Sequence, residues 1–228
     1  MTRVWKYGRV TLPRSLARGA AILSAIGAAA SAVIAAPTAS AVPCPDIEVV
    51  FARGTGEPVG IGRVGQAFTD ALSGQVGGRT VGSYAVNYPA DYDFLTAADG
   101  AADAANHISS MAASCPSTRL VLGGYSQGAA VMDMLAGVPP LGNKIGSIGS
   151  APPLSPAAAV MVAAVAAFGN PATKFGNPLN AAGMFADRAI DLCKDGDPIC
   201  SGGRNPLAHR GYEDAMAQQA AGFAAGRV

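Results

Sequence analysis

The sequence predicts an α/β fold in which helices cover both faces of a mostly parallel β-sheet. Short β-branched runs alternate with segments that carry apolar residues at helical spacing, and the run 119–125 is continuously apolar, as expected for a buried central strand. With 228 residues, of which 50% are hydrophobic, the chain is long enough for one well-buried domain. In such sheets, functional residues gather at the carboxyl ends of the strands.

The individual elements follow from these patterns. The helix at 97–113 is predicted to be capped at Asp99, and the apolar run 158–168 is ambiguous between a helix end and a strand near 162–168. The other strands are predicted at 47–52, 80–88, 119–125 and 188–193, and the other helices at 63–75, 129–136 and 212–225.

Residues 1–41 are predicted to be a signal peptide. Five basic residues and no acidic ones precede residue 42, and an apolar run at 19–36 leads to the triplet Ala39-Ser40-Ala41, which fits a cleavage site. A retained membrane anchor is the alternative, because the run has about the 18 residues that a span needs. Since Ala and Gly add little insertion energy, we expect cleavage, a secreted domain at 42–228, and no stable membrane span after removal.

The secreted part is mildly acidic. Without the five N-terminal basic residues, 11 of the 16 basic residues remain against 15 acidic ones, so the net charge is about −4. This balance gives the domain no electrostatic reason to bind nucleic acid.

All four cysteines, Cys44, Cys115, Cys193 and Cys200, lie in the secreted part. An even number in an oxidising compartment indicates two disulfides, although three pairings are open. A zinc site with four thiolate ligands is the alternative, but the sequence does not have the two closely spaced pairs of cysteines that such a site uses. We therefore expect disulfides and no metal.

The strongest motif is Gly124-Tyr125-Ser126-Gln127-Gly128, which fits G-x-S-x-G between a buried strand and a helix. Such a sharp turn needs small neighbours, because a Cβ at either glycine would strike the adjoining elements. The turn raises the Ser126 hydroxyl above the sheet and directs the next N–H groups, beginning with that of Gln127, at the same space. This context is that of the α/β-hydrolase fold and predicts Ser126 as a nucleophile.

A serine nucleophile needs a base, and the chain holds two histidines. In α/β-hydrolases the order along the chain is nucleophile, acid, base. His107 precedes Ser126 and lies in a predicted helix, where we expect a structural or solvated role. His209 follows a Gly- and Pro-rich loop, and it alone satisfies the order.

The acid must lie between Ser126 and His209. Asp195 and Asp197 follow the last predicted strand, in a loop that a disulfide would hold rigid. The residues alone do not separate these two, although Pro198 stiffens the backbone beside Asp197. The remaining candidates lie earlier in the chain. Asp133 lies in the predicted helix after the motif, and Asp187 and Asp191 precede or lie within the last predicted strand.

Three motifs in this order resemble the cutinase family, especially its bacterial secreted esterases. They are the turn Phe51-Ala-Arg-Gly-Thr55, the Gly-Tyr-Ser-Gln-Gly motif and the Cys-x-x-Gly-Asp-x-x-Cys loop, and the similarity extends over residues 44–228. The resemblance implies a three-layer α/β-hydrolase with a central parallel sheet of about five strands. It also implies the disulfides Cys44–Cys115 and Cys193–Cys200.

The resemblance further implies the roles of the site residues. The nucleophile falls on Ser126, the base on His209 and the acid on Asp197, which decides between the two aspartates. The backbone N–H groups of Thr55 and Gln127 would form the oxyanion hole, with the Thr55 hydroxyl as a third donor. The family often has serine here, and the methyl group of threonine restricts the rotamers of the hydroxyl.

The expected activity is that of a secreted carboxylic ester hydrolase without metal or organic cofactor. The short segment between Ser126 and Asp197 leaves no room for a lid domain, which favours an open cleft. The resemblance implies short- to medium-chain acyl esters, with cutin-like polyester surfaces as further substrates, and we expect a monomer. The alternatives are acyl transfer, phospholipid or thioester cleavage, and an inactive lipid-binding protein, against which the intact triad argues.

Overall fold

The computed structural model of the protein describes residues 43–142 and 148–228. The predicted signal peptide lies outside these residues and stays a prediction. None of the helices in the described ranges is long and apolar enough to cross a membrane.

Five strands form one parallel sheet: β1 Ile47–Ala52, β2 Val81–Ala85, β3 Arg119–Tyr125, β4 Val162–Phe168 and β5 Ala189–Leu192. Their order is β2-β1-β3-β4-β5. The chain thus moves from β1 to β2 and then crosses back to β3 on the other side of β1. Such a reversal opens a crevice at the carboxyl ends of β1 and β3, where ligands bind in open α/β sheets. Ala52 pairs with Gly124, so these two strands end level with each other.

Helices cover both faces of the sheet, which confirms the predicted three-layer α/β class. The helices are α1 Gly62–Ser73, α2 Ala97–Ser114, α3 Gln127–Ala136, α4 Pro156–Ala159, α5 Pro171–Lys174 and α6 Ala215–Ala225. Alternate strand residues point to opposite faces. Val50 and Leu122 pack with α2 and α3, while Phe51 and Val121 pack with α1 and α6. No lid domain is inserted among the described residues.

The start of α2 differs from the prediction. The helix begins at Ala97, with Thr96 at the N-cap and Asp99 in the first turn, so the cap predicted at Asp99 is wrong. The reason is a short 3-10 turn at Phe94–Thr96 that leads directly into α2 and is itself capped by the Asp93 carboxylate. Asp99 instead adds a negative charge near the positive end of the helix dipole.

The ambiguous run at 158–168 contains the end of α4 followed by β4, with Ser155 as the N-cap of the short helix.

Two other predicted elements are shorter than expected. The second strand ends at Ala85 and the last helix begins at Ala215, because the segments beside them turn toward the carboxyl edge of the sheet. There Tyr88 and Tyr212 bury their rings and bond their hydroxyls to other segments.

Two disulfides are present, Cys44–Cys115 and Cys193–Cys200, and these are the pairs that the family resemblance implies. The first joins the chain just before β1 to the C-cap of α2. The second joins two cysteines that are seven positions apart and closes a loop directly after β5. That loop lies at the carboxyl edge of the sheet and has no helix or strand, so the disulfide holds its two ends together.

At the turn between β3 and α3, the backbones of β1, β3 and α3 approach one another very closely. A Cβ added to Gly128 would lie 1.9 Å from the carbonyl oxygen of Ala52, and one added to Gly124 would lie 2.1 Å from that of Gly128. Both obstacles are backbone atoms that cannot rotate away. The two glycines are therefore required for β1, β3 and α3 to meet at this point.

We expect Gly128→Ala to lower the free energy of unfolding by about 3 kcal/mol or more, since β1 or α3 must shift to admit the methyl group. Gly202→Ala is the matched control, because a Cβ there meets no atom within 4 Å. Urea unfolding measures both. Equal stability of the two variants would contradict the role assigned to Gly128.

Candidate active site

Ser126 lies on the turn between β3 and α3 in a conformation that side chains rarely adopt, with φ 56° and ψ −115°. Its N–H donates to the carbonyl of Phe168 at 2.9 Å, and its own carbonyl accepts from the first turn of α3. These bonds hold the strained residue between β4 and the helix. The hydroxyl thereby projects from the carboxyl edge of the sheet, as the motif predicts.

His209 ends a 3-10 turn at Pro206–His209 that the Asn205 side chain caps. Its Nε2 lies 2.8 Å from Ser126 Oγ. The ring of Tyr125 stacks on the imidazole with 5.1 Å between the centroids and 25° between the planes, and the Tyr125 hydroxyl donates to the backbone carbonyl of His209. Burial raises the pKa of Tyr125 to about 12, so this donor stays protonated.

Gly169 forms the other side of the imidazole pocket. A Cβ at Gly169 would lie 2.8 Å from His209 Cε1, and the residue has a φ of 59°. The chain directly after β4 thus approaches the ring more closely than any side chain would allow. The imidazole is held between this backbone and Tyr125.

Asp197 completes a continuous chain of hydrogen bonds. Its Oδ2 lies 2.7 Å from His209 Nδ1, while Oδ1 accepts from the N–H of Ile199 at 2.7 Å. Asp195, the other candidate acid, is exposed and does not contact the imidazole. Of the two aspartates in the disulfide loop, the structure therefore brings Asp197 to His209.

Tyr212 is a site residue that the sequence reasoning missed. Its hydroxyl donates to Asp197 Oδ2 at 2.6 Å and accepts from the N–H of Lys194 at 3.0 Å. Burial, followed by the bond to Asp197, raises the pKa of Tyr212 above its ordinary value, so it remains a donor. A tyrosine three positions after the histidine is a weak signal, because only the tertiary fold shows where its hydroxyl points.

The charge of Asp197 is stabilised by these donors. Burial by itself would raise the pKa of Asp197, but hydrogen bonds from Tyr212, His209 and the Ile199 N–H outweigh it and lower the pKa below its ordinary value. The side chain is fully buried. Asp197 is therefore an ionised acceptor beside the imidazole near neutral pH.

Thr55 and Gln127 face each other across the end of the β1–β3 crevice. Neither backbone N–H makes a hydrogen bond within the described part of the chain, and both residues line the cleft beside Ser126. The Thr55 hydroxyl donates to Gln127 Oε1 at 3.0 Å. The two predicted oxyanion residues thus lie together, with an additional side-chain bond between them.

Above these residues lies an open cleft of about 960 Å³. Thr55, Ser126, Gln127 and His209 lie along it, and its walls are largely apolar. Tyr92 and Phe94 pack edge to face with 6.3 Å between their centroids, and Tyr92 is 82% exposed. Further apolar wall residues come from other segments: Pro58, Leu141, Ile148, Pro171, Ile199 and Pro206.

The arrangement matches a known family over almost the whole described chain. The family model described as Cutinase matches residues 43–228. The chain belongs to the cutinase family. This confirms the resemblance found in the sequence, and with it the α/β-hydrolase fold.

Individual relatives agree with this membership. Phospholipase Culp4 of Mycobacterium tuberculosis is 54% identical over 194 residues, which cover 85% of this chain and 83% of the relative. Carboxylesterase Culp1 of the same organism is 45% identical over 229 residues, which cover 95% of this chain and 97% of the relative. The protein is therefore a carboxylic ester hydrolase, as predicted.

Solved structures show the same fold. A Trichoderma reesei cutinase in complex with a phosphonate inhibitor superposes with a TM-score of 0.64 at 38% identity, covering 81% of this chain and 77% of that one. The catalytic core of acetyl xylan esterase from Trichoderma reesei gives a TM-score of 0.68 at 28% identity, covering 82% and 100%.

The turn that carries Thr55 in this cutinase-family site is held by a buried arginine. The Arg53 guanidinium donates to the carbonyls of Glu57, Tyr88 and Pro89, and Arg53 is only 3% exposed. The Glu57 carboxylate accepts from the N–H groups of Gly54 and Arg63. These contacts fix the turn after β1 against both α1 and the segment that follows β2.

The turn after β4 rests on a buried polar network. Asn170 Nδ2 donates to Asp133 Oδ1 at 3.0 Å and to Asp191 Oδ2 at 2.7 Å, and its Oδ1 accepts from the N–H of Ala172. Burial raises the pKa of Asp133 well above its ordinary value, despite the bond from Asn170. Since Gly169 precedes Asn170, the network also supports the wall of the imidazole pocket.

His107, the second histidine, lies away from the site. Its Nε2 is 2.7 Å from Glu48 Oε2, and its ring stacks on Tyr84 with 3.5 Å between the centroids. It bonds β1 to α2, which is a structural role.

We expect Tyr212→Phe to lower the free energy of unfolding by about 2 kcal/mol at neutral pH, because a buried carboxylate loses a donor. The lowered pKa of Asp197 means that its ionised form stabilises the fold above the ordinary carboxyl pKa, and that this contribution is lost as the pH falls through the folded pKa. The cost of the substitution should therefore shrink in acid.

Urea unfolding from neutral to strongly acidic pH measures this dependence. Tyr92→Phe is the control, because the exposed Tyr92 hydroxyl makes no hydrogen bond within the described residues and its removal should cost nothing at any pH. A Tyr212→Phe cost that is the same at every pH would contradict the assigned bond.

Proposed function

We propose that the protein is a secreted serine esterase that hydrolyses short- to medium-chain acyl esters through an acyl-enzyme. One observation carries the proposal: an unbroken hydrogen-bond chain runs from Asp197 through His209 to Ser126 at the floor of an open cleft. In this arrangement the imidazole is aligned to accept the serine proton, and the carboxylate is aligned to stabilise the imidazolium that results.

In the acylation step, His209 Nε2 takes the proton from Ser126 as its oxygen attacks the ester carbonyl. The carbonyl oxygen becomes negative in the tetrahedral intermediate and accepts from the N–H groups of Thr55 and Gln127. The intermediate collapses when the bond to the alcohol oxygen breaks, and His209 returns the proton to that alcohol. In the second half, His209 deprotonates water, which attacks the acyl carbonyl; the bond to Ser126 Oγ then breaks, and His209 returns the proton to that oxygen as the acid is released.

The shape and lining of the cleft support the proposed substrate class. Its apolar walls suit an acyl chain, and the absence of a lid domain in the described chain leaves it open to esters in solution or at a surface, including polyesters. The relative named carboxylesterase agrees with this reading. Phospholipid cleavage is the second candidate, because the 54% identical relative is named a phospholipase.

Secretion is part of the proposal. Two disulfides indicate an oxidising compartment. Residues 1–41 have the charge and apolar pattern of an export signal.

We expect Ser126→Ala to lose at least about 1,000-fold in kcat/KM on a nitrophenyl ester while its thermal unfolding stays unchanged, since only the attacking oxygen is removed. A fluorophosphonate probe should label the parent protein and not this variant. Ser109→Ala, which changes an exposed serine on α2, is the control and should keep both activity and labelling. Normal turnover by Ser126→Ala would rule this site out.

A series of nitrophenyl esters from acetate to palmitate tests the substrate class. We expect kcat/KM to be highest among the short and medium chains, because the cleft is open and lacks a lid that would enclose a long chain. Phosphatidylcholine vesicles, measured beside them, test the second candidate. Highest activity on palmitate would contradict the preference, and faster vesicle cleavage would favour the phospholipase.

A further inference from the structure

Within the described chain, three arginine or acidic residues line the cleft: Glu57, Arg63 and Arg210. Two of them already have partners in the fold. The Glu57 carboxylate accepts from the N–H groups of Gly54 and Arg63, and the Arg63 guanidinium forms an ion pair with Glu213 at 2.9 Å. Arg210 is therefore the cleft residue whose charge the fold does not use.

Arg210 is exposed, and its guanidinium makes no hydrogen bond or ion pair with the residues that the structure describes. Its backbone, in contrast, is fixed at both ends. The N–H donates to the carbonyl of Leu207 at 3.2 Å, and the carbonyl accepts from Lys194 Nζ at 2.8 Å. The side chain thus begins at a defined point on the cleft wall and keeps its donors free for a ligand.

The position of Arg210 in the chain assigns it to one side of the substrate. In the proposed mechanism, His209 Nε2 returns its proton to the alcohol oxygen, so that oxygen must come within hydrogen-bond distance of Nε2. The carbonyl oxygen of the ester points instead toward Thr55 and Gln127. Because Arg210 directly follows His209, its charge lies beside the alcohol part of the ester.

An arginine at this place suits an alcohol that carries a phosphate group. The planar guanidinium stays charged and forms two parallel hydrogen bonds with phosphate oxygens. In an acyl ester of glycerol phosphate, only a few bonds separate the ester oxygen from the phosphate, a span that an arginine side chain next to the base can reach. The secreted part of the chain is net acidic, so the attraction for an anion here is local to Arg210.

We propose that Arg210 binds a phosphate group on the leaving alcohol, so that the protein favours acyl esters of phosphorylated alcohols over the same esters of neutral alcohols. The inference rests on the proposed esterase function and names the alcohol part of its substrate. Arg210 takes no part in bond making. Water adds to the acyl carbon by way of Ser126, the acyl C–O bond breaks, and the phosphorylated alcohol leaves with its phosphate intact.

Two soluble esters that differ only in the phosphate test the subsite: butyryl glycerol and butyryl glycerol phosphate. At low ionic strength we expect kcat/KM of the parent protein to be about 10-fold higher on the phosphorylated ester, because a charge-assisted bond forms. In Arg210→Gln the ratio between the two esters should fall to about one. The change should lie in KM, since the phosphate is bound equally in the ground state and the transition state.

Two further variants of Arg210 separate the effect of charge from that of the bond geometry. Arg210→Lys keeps the charge without the fork and should keep part of the preference. Arg210→Glu places like charges together and should favour the neutral ester. Arg204→Gln is the matched control, because it removes an exposed arginine from the same loop that does not line the cleft, and it should leave the ratio unchanged.

A phosphorylated ester can be a membrane lipid or a soluble molecule, and vesicles of phosphatidylglycerol distinguish the two sources. Arg204→Gln again serves as the control, here for general attraction to a charged surface. A loss in Arg210→Gln on the vesicles as well as on the soluble ester supports a lipid headgroup as the ligand. A loss on the soluble ester alone supports a soluble phosphorylated alcohol.

Equal kcat/KM of the parent protein on the two soluble esters would overturn the proposal, and so would a ratio that Arg210→Gln leaves unchanged. A loss of preference in Arg204→Gln as large as that in Arg210→Gln would also overturn it, because the effect would then be one of overall charge. In each of these cases, turnover of butyryl glycerol leaves the proposed function standing. A parent protein without turnover on any ester would instead contradict the proposed function.

Discussion

The hydrogen bond between His209 and Ser126 joins two parts of the chain that are 83 residues apart, and the site depends on it. The serine is fixed by a strained turn, so the imidazole must be brought to it with little freedom of its own. Three unrelated segments do this: the Tyr125 ring on one side, the backbone of Gly169 on the other, and the Asp197 carboxylate behind. Each restricts a different motion of the ring.

Two fully buried aspartates show how the local donors set the charge in this domain. Burial by itself would raise the pKa of both, and the hydrogen bonds and charges around each carboxyl group decide the direction of the net shift. Asp197 receives hydrogen bonds from Tyr212, His209 and a backbone N–H, and its pKa is lowered. Asp133 receives one from Asn170, leaves Oδ2 without a partner in the described chain, and its pKa is raised. The same residue type thus serves as an ionised acceptor beside the imidazole and, beneath the β4 turn, as a buried carboxyl group with a raised pKa.

Much of the fold and of the candidate site could be predicted from the sequence because the sequence patterns that indicate them are local. The G-x-S-x-G motif identifies its own turn, and the boundaries of β1 and β3 match the apolar runs. The choice between Asp195 and Asp197 needed a family resemblance, since both follow the last strand by a few residues and only tertiary contacts separate them. Tyr212 and the buried amide of Gln127 escaped prediction for the same reason. Their partners lie 15 and 72 residues away, and nothing in the local pattern names them. The cap at Asp99 failed because the 3-10 turn before α2 competes for the helix start.

The site consists of two halves that are carried by strands on opposite sides of β3 in the sheet. Thr55, one of the two proposed oxyanion residues, stands on the turn after β1, which Arg53 and Glu57 fix against α1 and the segment after β2. Asp197 and His209, the proposed acid and base, stand on loops after β5, tied by the Cys193–Cys200 disulfide and by Tyr212. Ser126, at the end of β3, lies between them, and β4 separates it from β5. The distance from the imidazole to Thr55 is therefore set by the register of the whole sheet, because a slip of any central strand would move His209 relative to the turn after β1. This explains why the crossing at Ala52, Gly124 and Gly128 is packed so tightly: it fixes β1 against β3, and so fixes the turn that carries Thr55 against Ser126.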